Sequence, residues 1–192
     1  MASRTRPALT RERILRAALK LIDRDGIDQL SMRKLGRALG VEAMSLYRYV
    51  PNKDAVLAGV VELLLDELEL TPAGGGWRAD ASRIVRSYRD VAQRHPKAFP
   101  LLALRPLPSA AAVERALKPV ATLREAGLDE AGALTAYGVL LSYVNGHLLR
   151  ELAGAPAPRA SEEDPFELGL RVILAGLERV SVAQREDPAA AA

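Results

Sequence analysis

Apolar residues recur along this chain at helical spacing, and nowhere do they alternate long enough to make a strand. Residues 10–24 put Ile14, Ala17, Ala18, Leu21 and Ile22 on one stripe, so a first helix is expected there. Residues 31–39 place Leu35 and Leu39 four apart with Ala38 beside them. Ser31 suits the cap of that helix, because its hydroxyl accepts from a free amide of the first turn, and Gly40 suits the left-handed position that ends it. Val41 then buries, and residues 43–49 form the next helix with Leu46 inward. A fourth helix is expected from residue 52 or 53 to about 70, followed by a flexible break, TPAGGG, at 71–76. A fifth runs from 77 or 78 to 94 and is stopped by His95-Pro96. A short segment to 104 and the turn Arg105-Pro106 lead to a single helix over 110–126, closed by Gly127. Asp129 caps a long helix to 152. A Pro-rich, charged loop at 154–165, expected to be mobile, precedes a last helix over 165–184. Residues 1–7 and the tail after Pro188 are expected to fray.

The last two long helices are apolar on too much of their circumference to have one solvent face. The earlier one carries Leu134, Val139, Leu140, Val144 and Leu148, and the later one Leu168, Val172, Ile173, Leu177 and Val180. A helix apolar nearly all round is buried on two sides, either inside one monomer or against a second subunit.

The pair at 31–49 has the spacing of a helix-turn-helix, which lays its second helix in the DNA major groove, although an ordinary helical hairpin has the same pattern. Charge sharpens the picture. Net charge is +3, but residues 1–55 hold twelve Lys/Arg against six Asp/Glu, and residues 56–192 fifteen against eighteen. A basic first segment beside a mildly acidic second fits a phosphate-facing module. There are no cysteines, which excludes disulfides, thiolate metal sites and cysteine catalysis. No run approaches the roughly eighteen apolar residues of a membrane span and no signal peptide is visible, so a cytoplasmic protein without membrane attachment is expected.

Residues 13–57 resemble the DNA-binding domain of the TetR family of one-component repressors. The resemblance rests on Gly26-Ile27, the hydroxyl of Ser31, Leu39-Gly40-Val41, Ser45-Leu46-Tyr47 and Asn52-Lys53. It implies an all-α chain: a three-helix helix-turn-helix domain at 1–52, and a larger helical domain for effector binding and dimerisation at 53–192. It also implies a homodimer joined through a four-helix bundle of the last two helices. Such a dimer presents recognition helices about one DNA turn apart, roughly 34–36 Å or a small multiple, to a palindromic double-stranded operator. Ala43 and Met44 would lie where base edges are met, favouring thymine methyls, with Ser45 reaching base or phosphate. By resemblance, Tyr47 and Lys53 contact phosphate and the fork of Arg33 holds guanine O6 and N7. Ser31 and Lys34 add phosphate contacts. Arg48 is read as a phosphate contact or a solvated charge, and Tyr49 and Val50 as core or rim.

The second domain is expected to hold a small-molecule effector among its helices. The candidate polar anchors are Tyr88, His95, Arg105, Tyr137, Asn145, His147 and Arg150. This part is similar to the tetracycline repressors at Trp77, at Arg105-Pro106, and at Phe166-Glu-Leu-Gly-Leu leading to Ala-Gly-Leu-Glu. It departs from them where they place metal-binding histidine and glutamate: Leu101 and Arg150 stand there. The expectation is therefore a largely hydrophobic effector bound without magnesium, with no metal site and no cofactor. In the resembling family the effector acts through a pendulum-like tilt of the fourth helix. The rival readings are an enzyme and a helical scaffold. The first lacks a nucleophile elbow, a Walker loop or a zinc motif, and the second leaves the basic segment unexplained.

Overall fold

A computed structural model describes residues 8–155 and 163–186, with side chains as far as residue 182. The expectations for residues 1–7, for most of the 154–165 loop and for the tail after 188 fall outside the described residues.

The described chain is helical throughout. In order come α1 (Arg11–Asp25), a 3-10 turn (Ile27–Gln29), α2 (Met32–Leu39), α3 (Ala43–Leu46), α4 (Lys53–Asp66), α5 (Trp77–Arg94) and α6 (Phe99–Leu104). There follow α7 (Ala110–Ala116), α8 (Pro119–Glu125), α9 (Glu130–Leu152) and α10 (Pro165–Glu186). Four of these helices begin at a side-chain cap. Thr10, Ser31, Asn52 and Asp129 accept from the amides of Arg13, Lys34, Ala55 and Gly132, at 3.2, 3.2, 2.8 and 2.7 Å. Each cap satisfies one of the orphan amides of the first turn.

Three elements differ from the pattern-based reading. The helix expected over 110–126 is broken at Leu117 and Lys118, because Pro119 has no amide to donate and its ring crowds the preceding turn. The helix expected over 43–49 is regular only to Leu46, and the chain then closes in a turn, Val50 N–H bonding Leu46 O at 3.0 Å. The fourth helix stops at Asp66 rather than near 70, and Glu69 N–H turns aside to the Ser87 hydroxyl at 2.8 Å.

Packing divides the chain into two units. The first comprises Met1–Glu67 with His95–Ser109, and the second Leu68–Arg94 with Ala110–Ala192. The boundary expected at 52/53 falls inside the first unit, because by packing α4 belongs with α1. Gly59 of α4 is in close approach to Leu15, and Glu62 pairs with Arg11 at 3.0 Å. The core of the first unit is Ile14, Ala18, Ile22, Leu35, Leu46, Val50, Val56, Val60, Leu64 and Phe99, all fully or nearly fully buried. In the second unit Val91, Leu123, Ala133, Val144, Leu148, Phe166 and Leu170 are buried among α5, α8, α9 and α10.

The 71–76 segment is a helix break but not an untethered one. The buried carboxylate of Asp80 accepts from the amides of Ala73 and Gly74 at 2.7 and 3.1 Å, and Arg83 bonds the Thr71 carbonyl. The Ala73 amide foremost, with Gly74 and Arg83 assisting against desolvation, holds the Asp80 carboxyl below the usual carboxylate range.

Candidate nucleic-acid interface and ligand-binding region

The geometry of the first unit's exposed helix pair begins with two glycines. Gly40 has φ 68° and ψ 34°, the left-handed conformation that ends α2, and Val41 N–H then closes on Gly36 O at 3.0 Å. Gly36 lets that turn close: a Cβ there would sit 2.8 Å from Val41 O and 3.1 Å from Ala43 N. Leu35, Leu39 and Leu46 face inward and are buried, which turns the other faces of α2 and α3 outward.

The outward faces carry most of the expected contact residues. Met44 is 76% exposed, Tyr47 44% and Tyr49 42%, an unusual density of exposed large side chains for four helical residues and the turn after them. Ala43 and Ser45 flank Met44 and are half-buried. Arg33 and Arg48 are exposed, Lys53 is half-buried at the first position of α4, and none of the three makes an ion pair among the described residues. The Lys34 ammonium bonds Gln29 Oε1 at 3.0 Å, and its amide is held by Ser31. Ser31 thus serves as a helix cap, keeping its O–H free to donate. Tyr49, read from sequence as core or rim, stands at the surface beside Tyr47, while Val50 is buried. The signal was the spacing from Leu46: position 49 continues the helical turn outward, and position 50 closes it inward.

The candidate anchors of the second region fall into three groups, with Arg150 apart from them. Tyr88, Tyr137 and Asn145 belong together in the second unit. The buried Tyr88 hydroxyl donates to Asn145 Oδ1 at 3.0 Å, and Tyr137 donates to the Ala116 carbonyl at 2.7 Å. Burial pushes both phenols up, so both stay protonated and neutral. His147 belongs to a different cluster. Its ring lies 5.7 Å from Tyr143 and 5.2 Å from Phe166, over which the Arg89 guanidinium sits at 4.5 Å. Burial lowers His147 below the usual imidazole value. Arg89 ties this cluster to Asp164 and to Glu151, the latter at 3.3 Å, and Asp164 is held low first by its bond from Arg89. Arg150 is exposed on α9. His95 and Arg105 belong to the first unit. There His95 bridges Asp23 at 2.8 Å and Glu67 at 3.2 Å, and Arg105 pairs with Asp54 at 3.1 Å. His95 thus bonds two carboxylates and Arg105 pairs with one, partners that composition and periodicity did not identify.

No helix among the described residues is long and apolar enough to cross a membrane.

Comparison with known proteins agrees with this geometry. Residues 14–60 match the model for bacterial regulatory proteins of the tetR family, and residues 71–165 that for the tetracyclin repressor-like C-terminal domain. An HTH-type transcriptional regulator of Saccharopolyspora erythraea is 39% identical over 150 residues, covering 78% of this chain; the chain spans 64% of that relative's length. Among solved structures, the TetR family protein ActR of Streptomyces coelicolor, in complex with actinorhodin, superposes with a TM-score of 0.78 at 26% identity over 91% of this chain and 99% of its own. BioQ with its double-stranded DNA operator superposes with a TM-score of 0.74 at 25% identity, covering 90% of this chain and 99% of its own. These relatives are transcriptional regulators and not enzymes.

Proposed function

Because the chain belongs to the tetR family of bacterial regulatory proteins, we propose that this helix-turn-helix regulator is a cytoplasmic repressor that binds a palindromic operator as a homodimer and is released by a small hydrophobic effector. The observation that carries the DNA part is the surface of α3 and its flanks. Met44, Tyr47 and Tyr49 are exposed there beside Arg33, Arg48 and Lys53, cations with no ion pair among the described residues. Apolar groups at the N-terminal end of α3 suit thymine methyls. Arg33 offers a planar fork for guanine, while Lys53, Tyr47 and the first-turn amides of α4 suit phosphate. Ser31 and Lys34 extend the phosphate contacts, Ser45 reaches base or phosphate, and Arg48 is a phosphate contact or a solvated charge. BioQ, a fold relative seen with its operator duplex, supports a double-stranded DNA partner.

The homodimer reading is supported by apolar side chains left in solvent on the last two helices. Leu134 and Val139 on α9, and Leu168, Val172 and Val180 on α10, are exposed in the single chain. A second copy would bury them.

The effector reading is supported by the buried, neutral Tyr88 bonded to the half-buried Asn145, with the half-buried Tyr137 close by, polar groups set among mostly apolar neighbours. ActR, in complex with actinorhodin, shows a fold relative holding an organic ligand. Release requires that the effector bind the low-affinity conformation better than the DNA-bound one.

Two substitutions test the DNA reading. Lys53→Ala should weaken binding to all duplexes alike and flatten the log–log salt dependence by about one unit per subunit. Arg33→Ala should lose about 1–3 kcal/mol per half-site and relax preference at one base pair. Equal loss of specific and non-specific affinity in Arg33→Ala would make it a phosphate contact and overturn its assignment.

A further inference from the structure

The first unit carries a second basic surface, on α1 rather than on α3. Arg13, Arg16, Lys20 and Arg24 follow one another at steps of three, four and four residues, so they run along one side of the helix for about 16 Å. They line a groove of about 570 Å³ whose floor is Ala17 and Leu21 of α1 with Ala38 and Leu39 of α2. One carboxylate, Glu12, shares the lining and holds Arg16 at 2.9 Å, and Arg24 is paired with its neighbour Asp25 at 2.8 Å. Both pairs are exposed, and exposed pairs of this kind exchange readily for a stronger anion. Lys20 makes no ion pair among the described residues, and neither does the exposed Arg37 next to the groove floor on α2.

We propose that this α1 face is a second DNA-contacting surface, which holds the phosphate backbone of the duplex flanking the half-site taken by α3. The inference rests on the DNA-binding reading above. Its form comes from the arrangement of the charges. A small phosphorylated ligand is held by cations that converge on one point, whereas these are strung in a row. Successive phosphates of one DNA strand lie about 7 Å apart along the backbone, so a row of about 16 Å runs beside about two to three of them. The floor is methyl groups, with no donor or acceptor to read a base edge, so the contact is independent of sequence. The same compact unit bears α3, so the polyanion that fills one surface is at hand for the other.

The test uses the full chain and the palindromic duplex that it selects from a random pool. That duplex is made in two lengths: the palindrome alone, and the palindrome with about 10 bp of unrelated sequence on each side. Wild type should bind the longer duplex about tenfold more tightly at low salt, with a salt dependence steeper by about one to two units. Arg16→Glu combined with Lys20→Glu should abolish that gain and leave affinity for the short duplex within about threefold. Both positions are exposed, so the fold survives, and circular dichroism verifies it. Independently, Lys20→Cys provides the sole thiol of a cysteine-free chain. An iron chelate attached there should cleave in the flanks. Equal wild-type affinity for both lengths, equal losses on both lengths in the double variant, or cleavage confined to the palindrome would overturn the proposal while leaving the α3 reading intact. Recovery of no bound duplex at all would overturn both.

Discussion

Replacing Gly36 with alanine sets two known effects against each other. Alanine is favoured over glycine in a helix interior by about 0.8–1.0 kcal/mol, so propensity alone predicts stabilisation. The structure predicts the reverse. The new methyl would lie 2.8 Å from Val41 O and 3.1 Å from Ala43 N, where ordinary contact needs about 3.5 Å or more. Both atoms are backbone, so no rotamer change relieves the clash, and the turn between α2 and α3 must open by roughly 0.7 Å. Overpacking of this kind costs about 1–3 kcal/mol, leaving a net destabilisation of about 1 kcal/mol. Opening the turn also strains the bond from Val41 N–H to Gly36 O, now 3.0 Å, and moves α3 relative to α2. The assay is urea unfolding followed by circular dichroism, paired with fluorescence anisotropy on operator duplex. Gly36→Ala should lower the unfolding midpoint and weaken DNA binding by about tenfold, equivalent to about 1.4 kcal/mol. A raised midpoint with unchanged DNA affinity would refute the close-approach argument.

Three further outcomes are expected. Val172→Asp or Val139→Asp, both at exposed positions of the single chain, should halve the mass seen by sedimentation at micromolar concentration without lowering helix content; an unchanged dimer would move the interface elsewhere. The His147 pKa is depressed by burial below its ordinary 6.5, so the unfolded chain binds more protons in that window. Stability should therefore fall as pH drops from about 6.5 towards the folded value, and His147→Gln should remove that slope; an identical pH profile would refute the assignment. Effector binding measured by calorimetry should be unaffected by EDTA, whereas strict dependence on a divalent ion would overturn the reading of Leu101 and Arg150.

Local signals were legible wherever a residue acts on its own backbone. Ser31, Asp129 and Gly40 do in the structure what their types suggest, since capping and left-handed turns involve atoms only a few residues apart. The break at Pro119 was equally local, and the apolar spacing on either side of it concealed it. Tertiary partners were not legible. Whether a histidine anchors a ligand or bridges carboxylates depends on residues dozens of positions away, as His95 shows with Asp23 and Glu67. The same holds for Asp80, which looks like a surface acid on α5 but folds the 71–76 segment back by accepting its amides. Over residues 31–49, sequence located the exposed side chains because exposure there follows from the inward set Leu35, Leu39 and Leu46. The bond from Lys34 to Gln29 was not legible, since it needs the geometry of the turn before α2.

Hydroxyl-radical footprinting on a selected operator, with the stoichiometry of the complex measured by sedimentation, tests the central claim most directly. The account predicts two chains per duplex and two protected half-sites related by a dyad, their centres separated by about one helical turn, 10–10.5 bp, or a small multiple of it. One chain per duplex, or protection lacking two-fold symmetry, would contradict it.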